Sequence, residues 1–223
     1  MIIAIDGPAG SGKSTVAKAL AKELGFVYID TGAMYRALGL KVIKERINPD
    51  DKEEVIKLIE RTEIVLDGSR VLLDGEDVSS LIKTEEIGNV ASKIARYLPV
   101  RKYMVEKQRE IGKRAKNAVI EGRDTGTVIF SDANLKLFMT ASPEVRAKRR
   151  VHQLKEKGFP VDYNHILQKI LERDKMDYER KESPLRPTED YIVVDTSSMG
   201  IEEIIRYIKS LISERLKNNQ DDY

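Results

Sequence analysis

A chain of 223 residues, 41% apolar and 34% charged, can bury the core of one α/β unit with insertions, or of two small domains. It contains no cysteine, which excludes disulfides and thiolate metal sites and suits a reducing compartment. A net charge of +2 gives no polycationic surface for nucleic acid, and neither an apolar run of about 18 residues nor a cleavable leader is present, so the expectation is a monomeric, cytoplasmic protein with small-molecule partners, no nucleic acid and no membrane.

The first element is an apolar strand, Ile2-Ile3-Ala4-Ile5. It runs into Gly7-Pro8-Ala9-Gly10-Ser11-Gly12-Lys13-Ser14, a G-x-x-x-x-G-K-S loop. Glycines let successive backbone N–H groups of such a loop face one concavity. Lys13 then reaches the β and γ phosphates of a nucleotide, and the Ser14 hydroxyl suits Mg²⁺. Thr15 to Leu24 reads as a helix whose N-terminus points at the same anion. Gly25 ends that helix, and Phe26-Val27-Tyr28-Ile29-Asp30 follows as a second strand, completing a βαβ pattern.

More than eighty residues then separate this strand from the next, far more than one crossover needs. Gly32 to Arg46 and Asp51 to Arg61 read as helices broken at Asn48-Pro49-Asp50. Glu63 to Leu66 and Val71 to Leu73 read as a hairpin turning at Asp67-Gly68-Ser69-Arg70, and Thr84 to Lys116 as helix interrupted near Pro99. Strands follow at Ala118-Val119-Ile120, Leu135 to Met139 and Tyr191 to Val194. Ser142, Pro143 and Glu144 start a further helix as N-cap, N1 and first-turn acid. Lys157-Gly158-Phe159-Pro160 breaks it before a long helix over 163–181, and the polar tail after Leu216 is expected to fray. Five strands with helical crossovers imply an α/β fold with a parallel sheet covered on both faces. The core comprises residues 1–31, 117–150 and 182–217, with an insertion over 32–116, a small antiparallel sheet near 63–74, and a lid over about 151–165.

Two helices carry arginine faces: Arg146, Arg149 and Arg150 at i, i+3 and i+4, and Arg173, Asp177 and Arg180 at i, i+4 and i+7. Beside a phosphate loop, these suit the cationic clamps that phosphoryl transfer depends on. The triplets Asp30-Thr31-Gly32 and Asp124-Thr125-Gly126 superficially match the paired carboxylates of pepsin-like proteases. Those proteases are long all-β chains with two similar lobes, whereas this chain alternates strand and helix. His152 and His165 lie in polar helical contexts without metal-ligand partners.

Taken together, the segments Asp6-Gly7-Pro8-Ala9-Gly10-Ser11-Gly12-Lys13-Ser14, Asp30-Thr31-Gly32-Ala33-Met34-Tyr35-Arg36, Glu121-Gly122-Arg123-Asp124-Thr125-Gly126-Thr127 and Glu172-Arg173-Asp174-Lys175-Met176-Asp177 resemble the bacterial cytidylate kinases, along essentially the whole chain. The resemblance implies a P-loop NTPase fold in which residues 32–116 form an enlarged monophosphate-binding region. It also implies transfer of the γ-phosphoryl of ATP to CMP or dCMP with Mg²⁺.

By the resemblance, Gly7, Pro8, Ala9, Gly10, Ser11, Gly12, Lys13, Ser14 and Thr15 hold ATP, with Ser14 on the metal. Thr31 stands where the family often has serine in the acceptor site. Arg36, Arg123 and Arg180 hold the acceptor phosphate, Arg173 and Asp177 meet the ribose, and Ser92, Arg101 and Asp124 recognise cytosine. Lys13, Arg123, Arg180, Arg149 and Arg150 carry the transfer. A phosphate monoester, with second pKa near 6, is mostly dianionic at neutral pH and needs no general base. The nearest alternatives are another kinase of this fold, acting on UMP, AMP or shikimate, and a nucleotide-binding regulator. An N-K-x-D base-reading motif is absent, and a regulator has no use for an arginine-lined acceptor site.

Overall fold

The computed structural model describes residues 1–67, 70–156 and 158–221. Gly68 and Ser69 of the expected hairpin turn, Lys157 of the expected helix break, and Asp222 and Tyr223 of the tail lie outside the described residues.

Five strands form one parallel sheet: β1 (Ile2–Asp6), β2 (Val27–Asp30), β6 (Ala118–Gly122), β7 (Leu135–Thr140) and β8 (Ile192–Asp195), in the order β2-β6-β1-β7-β8. The central strands are apolar on both faces because both faces are covered. Ile3, Ile5, Val119 and Leu137 pack against Val16 and Leu20 of α1 (Lys13–Leu24) and against Ile204 and Ile208 of α8 (Ile201–Asp221). Alternate residues Ala118 and Ile120 face Ile129 and Phe130 on the other side, as the two-residue period of a strand requires.

The insertion has its own core. Met34 and Leu38 of α2 (Thr31–Lys44), Leu58 of α3 (Lys52–Glu60), Ile94 of α4 (Glu85–Ile94) and Met104 of α5 (Leu98–Arg114) are fully buried together. β3 (Ile64–Asp67), β4 (Arg70–Leu73) and the two-residue β5 (Glu76–Asp77) close it as an antiparallel sheet, one strand more than the expected hairpin. α6 (Pro143–Glu156) and α7 (Tyr163–Glu179) pack as a helical hairpin through Ala147, Ile166 and Ile170.

Two boundaries differ from expectation. α7 stops at Glu179, and Arg180 is an extended cap. There the chain folds back, with Ser183 at a φ of 51° and the Leu185 amide bonded to the Asp177 carbonyl, so Arg180 leaves the helix end instead of continuing its face. α8 continues to Asp221, where a frayed tail was expected after Leu216.

Candidate active site

The C-terminal ends of β1, β2 and β6 converge on one edge of the sheet, the usual place for ligands in open α/β folds. β1 ends at Asp6, and Gly7 turns the loop with a φ of 152°. A Cβ there would lie 2.0 Å from the Met139 carbonyl oxygen, so only glycine lets the loop cross β7 this closely. α1 begins at Gly12 with no side-chain cap, which leaves its first N–H groups for an anion. Ser14 and Thr15 are exposed on that first turn.

Asp6 supports the loop from beneath. Its carboxylate accepts from the amides of Thr125 and Gly126, at 2.9 Å each, and from the Tyr191 hydroxyl at 2.6 Å. Burial pushes its carboxyl up against those three hydrogen bonds. Thr196, just past β8, steadies the far side by donating to the Ser11 carbonyl at 3.0 Å.

Lys13 is buried and its Nζ donates to the Pro8 carbonyl at 3.2 Å, 4.0 Å from Oε2 of Glu121. Burial first, and the charge of Arg123 second, pull its pKa down to about 7, while Glu121 opposes them. Glu121 is itself fixed by the Tyr28 hydroxyl at 2.7 Å, and its backbone carbonyl takes the Thr31 hydroxyl at 2.7 Å. The Thr31 proton is therefore committed to that carbonyl.

Beyond the loop lies a cluster of arginines paired with carboxylates. Arg36 donates to Asp30 at 2.7 Å, and Arg123 donates from Nε to Asp177 at 2.8 Å. Burial alone would raise the Asp177 carboxyl, but Arg123 and Arg173 outweigh it and hold it below the usual carboxylate range. Arg180 lies 3.9 Å from both Asp124 and Asp177. Arg101 and Asp124 form a buried ion pair, with the Arg101 guanidinium 6.0 Å from the centre of the Tyr35 ring. Burial pushes the Tyr35 hydroxyl up to about 12. Nε of Arg173 and Nη2 of Arg180 are buried with no hydrogen-bond partner among the described residues. Burial, then Arg123, lowers Arg173 to about 10, which leaves it cationic at neutral pH.

The remaining expected residues are more dispersed. Ser92 is back-bonded to the Gly88 carbonyl of its own helix at 3.0 Å, one turn from the face of α4 that meets Arg173. Arg149 turns to the donor side, where Nη1 donates to Thr196 at 3.1 Å near Gly12. Arg150 is half-buried and within electrostatic reach of Glu85 on α4, so the two neighbours diverge. Arg146, third member of that arginine face, is buried against Asp174 and takes no part in an exposed clamp.

Reading the sequence missed Asp6, Tyr28, Tyr35 and Glu121 as site residues. Asp6, Tyr35 and Glu121 sit inside the quoted motifs, and a charged residue closing an apolar run, as Asp6 does after Ile5 and Glu121 after Ile120, is a signal that marks them.

A phosphate loop on a parallel sheet, facing clustered arginines across its C-terminal edge, defines a P-loop kinase. The family model of the cytidylate kinases matches residues 3–214. A cytidylate kinase of Caldanaerobacter subterraneus is 49% identical over 215 residues, covering 96% of each chain, and that of Bacillus subtilis is 43% identical over 217 residues, again 96% of each. The fold is shared with a solved structure of an uncharacterized protein from Eubacterium ventriosum, at a TM-score of 0.53 and 16% identity over 96% of this chain and 98% of that one. A gluconokinase from Sinorhizobium meliloti matches at a TM-score of 0.50 and 18% identity, over 99% and 96% of the two chains. The chain belongs to the cytidylate kinase family and is a nucleotide-binding phosphotransferase.

Proposed function

We propose that the chain transfers the γ-phosphoryl of ATP to CMP or dCMP, giving ADP and the nucleoside diphosphate. The observation that carries this reading is the pair of orphaned guanidinium donors, Arg173 Nε and Arg180 Nη2, buried opposite the loop. Buried donors without partners are rare in folded proteins, and an arriving phosphate or ribose oxygen satisfies them.

The loop amides and the α1 N-terminus hold the triphosphate, with Lys13 leaving Pro8 for the transferring phosphoryl. Arg36, Arg123 and Arg180 hold the acceptor phosphate in line, and its dianion attacks without a base. On the base side, the Asp124 carboxylate accepts from the exocyclic amino group that cytosine has and uracil lacks, with Arg101 fixing its orientation.

Mg²⁺ fits the oxygen chemistry here: Ser14 offers an exposed hydroxyl, and no cluster of three or more metal-ligating side chains occurs among the described residues, as for a cation held largely by substrate phosphates. When bound, it neutralises charge developing on the phosphoryl oxygens.

A panel of acceptors with ATP and Mg²⁺, read as ADP release, tests the reading. CMP and dCMP are expected to lead, and equal rates with CMP and AMP would overturn the assignment.

A further inference from the structure

One buried arginine touches both halves of the site without facing either substrate. Arg146, on α6, is 3% exposed and makes four hydrogen bonds. Nε donates to the Ala141 carbonyl just beyond β7 at 2.9 Å, and Nη1 donates to the Ala9 carbonyl of the donor loop at 3.2 Å. The guanidinium also forks onto both oxygens of Asp174 on α7, at 2.9 and 2.6 Å. Its own β-carbon fills the space beside Gly10, where a glycine Cβ would lie 3.2 Å away.

We propose that Arg146 and Asp174 are a positioning pair that couples the two nucleotide sites, so that occupancy of the donor loop tightens binding of the monophosphate and the reverse. This rests on the donor and acceptor assignments above. The peptide joining Ala9 to Gly10 is planar and trans, so its carbonyl and its N–H point in opposite directions. Holding the Ala9 carbonyl toward Arg146 turns the Gly10 N–H away from it, toward the cradle side of the loop. An anion on that N–H polarises the peptide and strengthens the bond its carbonyl accepts.

On the other side, Asp174 adjoins Arg173 and lies one helical turn before Asp177, which holds Arg123. The pair is buried at both ends, with Asp174 9% exposed, so separating it would leave a charge uncompensated in the interior. It therefore stays joined and moves the loop and the helix together. Ordering bought by the first nucleotide need not be repeated for the second, which is positive coupling, and it is reciprocal.

The test is calorimetric titration of CMP into the protein, with and without a non-hydrolysable ATP analogue and Mg²⁺. In the unaltered chain the analogue is expected to tighten CMP about fivefold or more. Arg146→Lys keeps the charge but loses the fork, and Asp174→Asn keeps the shape; both are expected to bring that factor close to one while CMP alone still binds. Ile208→Val, a truncation in the apolar layer against α1, is expected to lower Tm and leave the factor intact. The proposal falls if the unaltered chain shows no coupling, if either fork variant retains it in full, or if Ile208→Val abolishes it equally. Failure of CMP to bind the unaltered chain at all would instead overturn the acceptor assignment.

Discussion

Arg123 donates from Nε to Oδ2 of Asp177 at 2.8 Å, and through this bond the end of β6 is fastened to α7. Among the described residues its Nη1 meets only the Gly122 carbonyl, at 3.3 Å, so the outer fork of the guanidinium is largely uncommitted there. Arg123→Lys would lose both the anchor and the planar fork. We expect kcat/KM for CMP to fall roughly 100-fold, the scale seen when one preorganised donor to a transition state is removed. KM for ATP should stay within about threefold, since the lost contacts are on the acceptor side. Steady-state kinetics varying each substrate separately check this, and a defect confined to KM for ATP would contradict the placement.

Lys13 carries a pH signature. Its pKa in the folded chain is lowered to about 7, so above neutrality it is largely deprotonated until phosphate oxygens surround it. Binding of ATP at pH 8 should therefore take up protons, measured by titration calorimetry in buffers of different ionisation enthalpy. Lys13→Met should abolish the uptake, and Glu121→Gln, which removes the opposing charge, should increase it at pH 7. The sign for stability follows from the same shift. Between about 7 and the ordinary lysine value near 10.4, the unfolded chain holds more protons at this site, so this group's contribution makes stability rise with pH across that window. Lys13→Met should flatten that slope.

The Arg101 and Asp124 pair separates recognition from stability. Asp124→Asn leaves a buried guanidinium without its counter-charge, which should cost about 3–5 kcal/mol of stability. It should also weaken use of CMP by about 1–3 kcal/mol in kcat/KM, through loss of a buried acceptor. Adding Arg101→Gln to Asp124→Asn should recover much of the stability but none of the cytosine preference. Urea unfolding together with a CMP and UMP comparison tells the two effects apart. Unchanged CMP kinetics in Asp124→Asn would refute the base-reading role.

Gly7→Ala should be severe. The new Cβ would lie 2.0 Å from the Met139 carbonyl at a backbone φ of 152°, between two central strands that have no slack. We expect a loss of more than about 3 kcal/mol in urea unfolding, or no folded product. Gly25→Ala, with nothing within 4 Å of the added Cβ, pays only the positive φ of 66° and should cost about 1 kcal/mol.

The sheet was legible because its strands are short apolar runs at intervals that only crossovers explain, and the loop because glycine spacing fixes a backbone shape. The insertion's division into helices, hairpin and helices followed from period changes between Gly32 and Lys116. What escaped was partnership across distance. Nothing local tells that Asp6 bonds Tyr191 or that Arg146 belongs to Asp174, since the first pair is created by strand order and the second by the packing of α6 on α7. Arg180 was placed on a helix face because the arithmetic of 3.6 ignores a chain reversal at Ser183. Thr31 was placed in the acceptor site, but a sequence does not show that its hydroxyl has already met the Glu121 carbonyl.

Strand order has one further consequence, for synthesis. β1 emerges first and lies in the middle of the sheet, yet its neighbours β6 and β7 begin at residues 118 and 135, and Thr196 closes against Ser11 later still. The donor loop therefore precedes all of these supports in the chain, Thr196 by 185 positions from Ser11. Such non-local pairing is slow, and a nucleotide can favour only chains that have completed it. A donor nucleotide would thus act on this fold as a late selector, holding finished molecules and giving nothing to fragments.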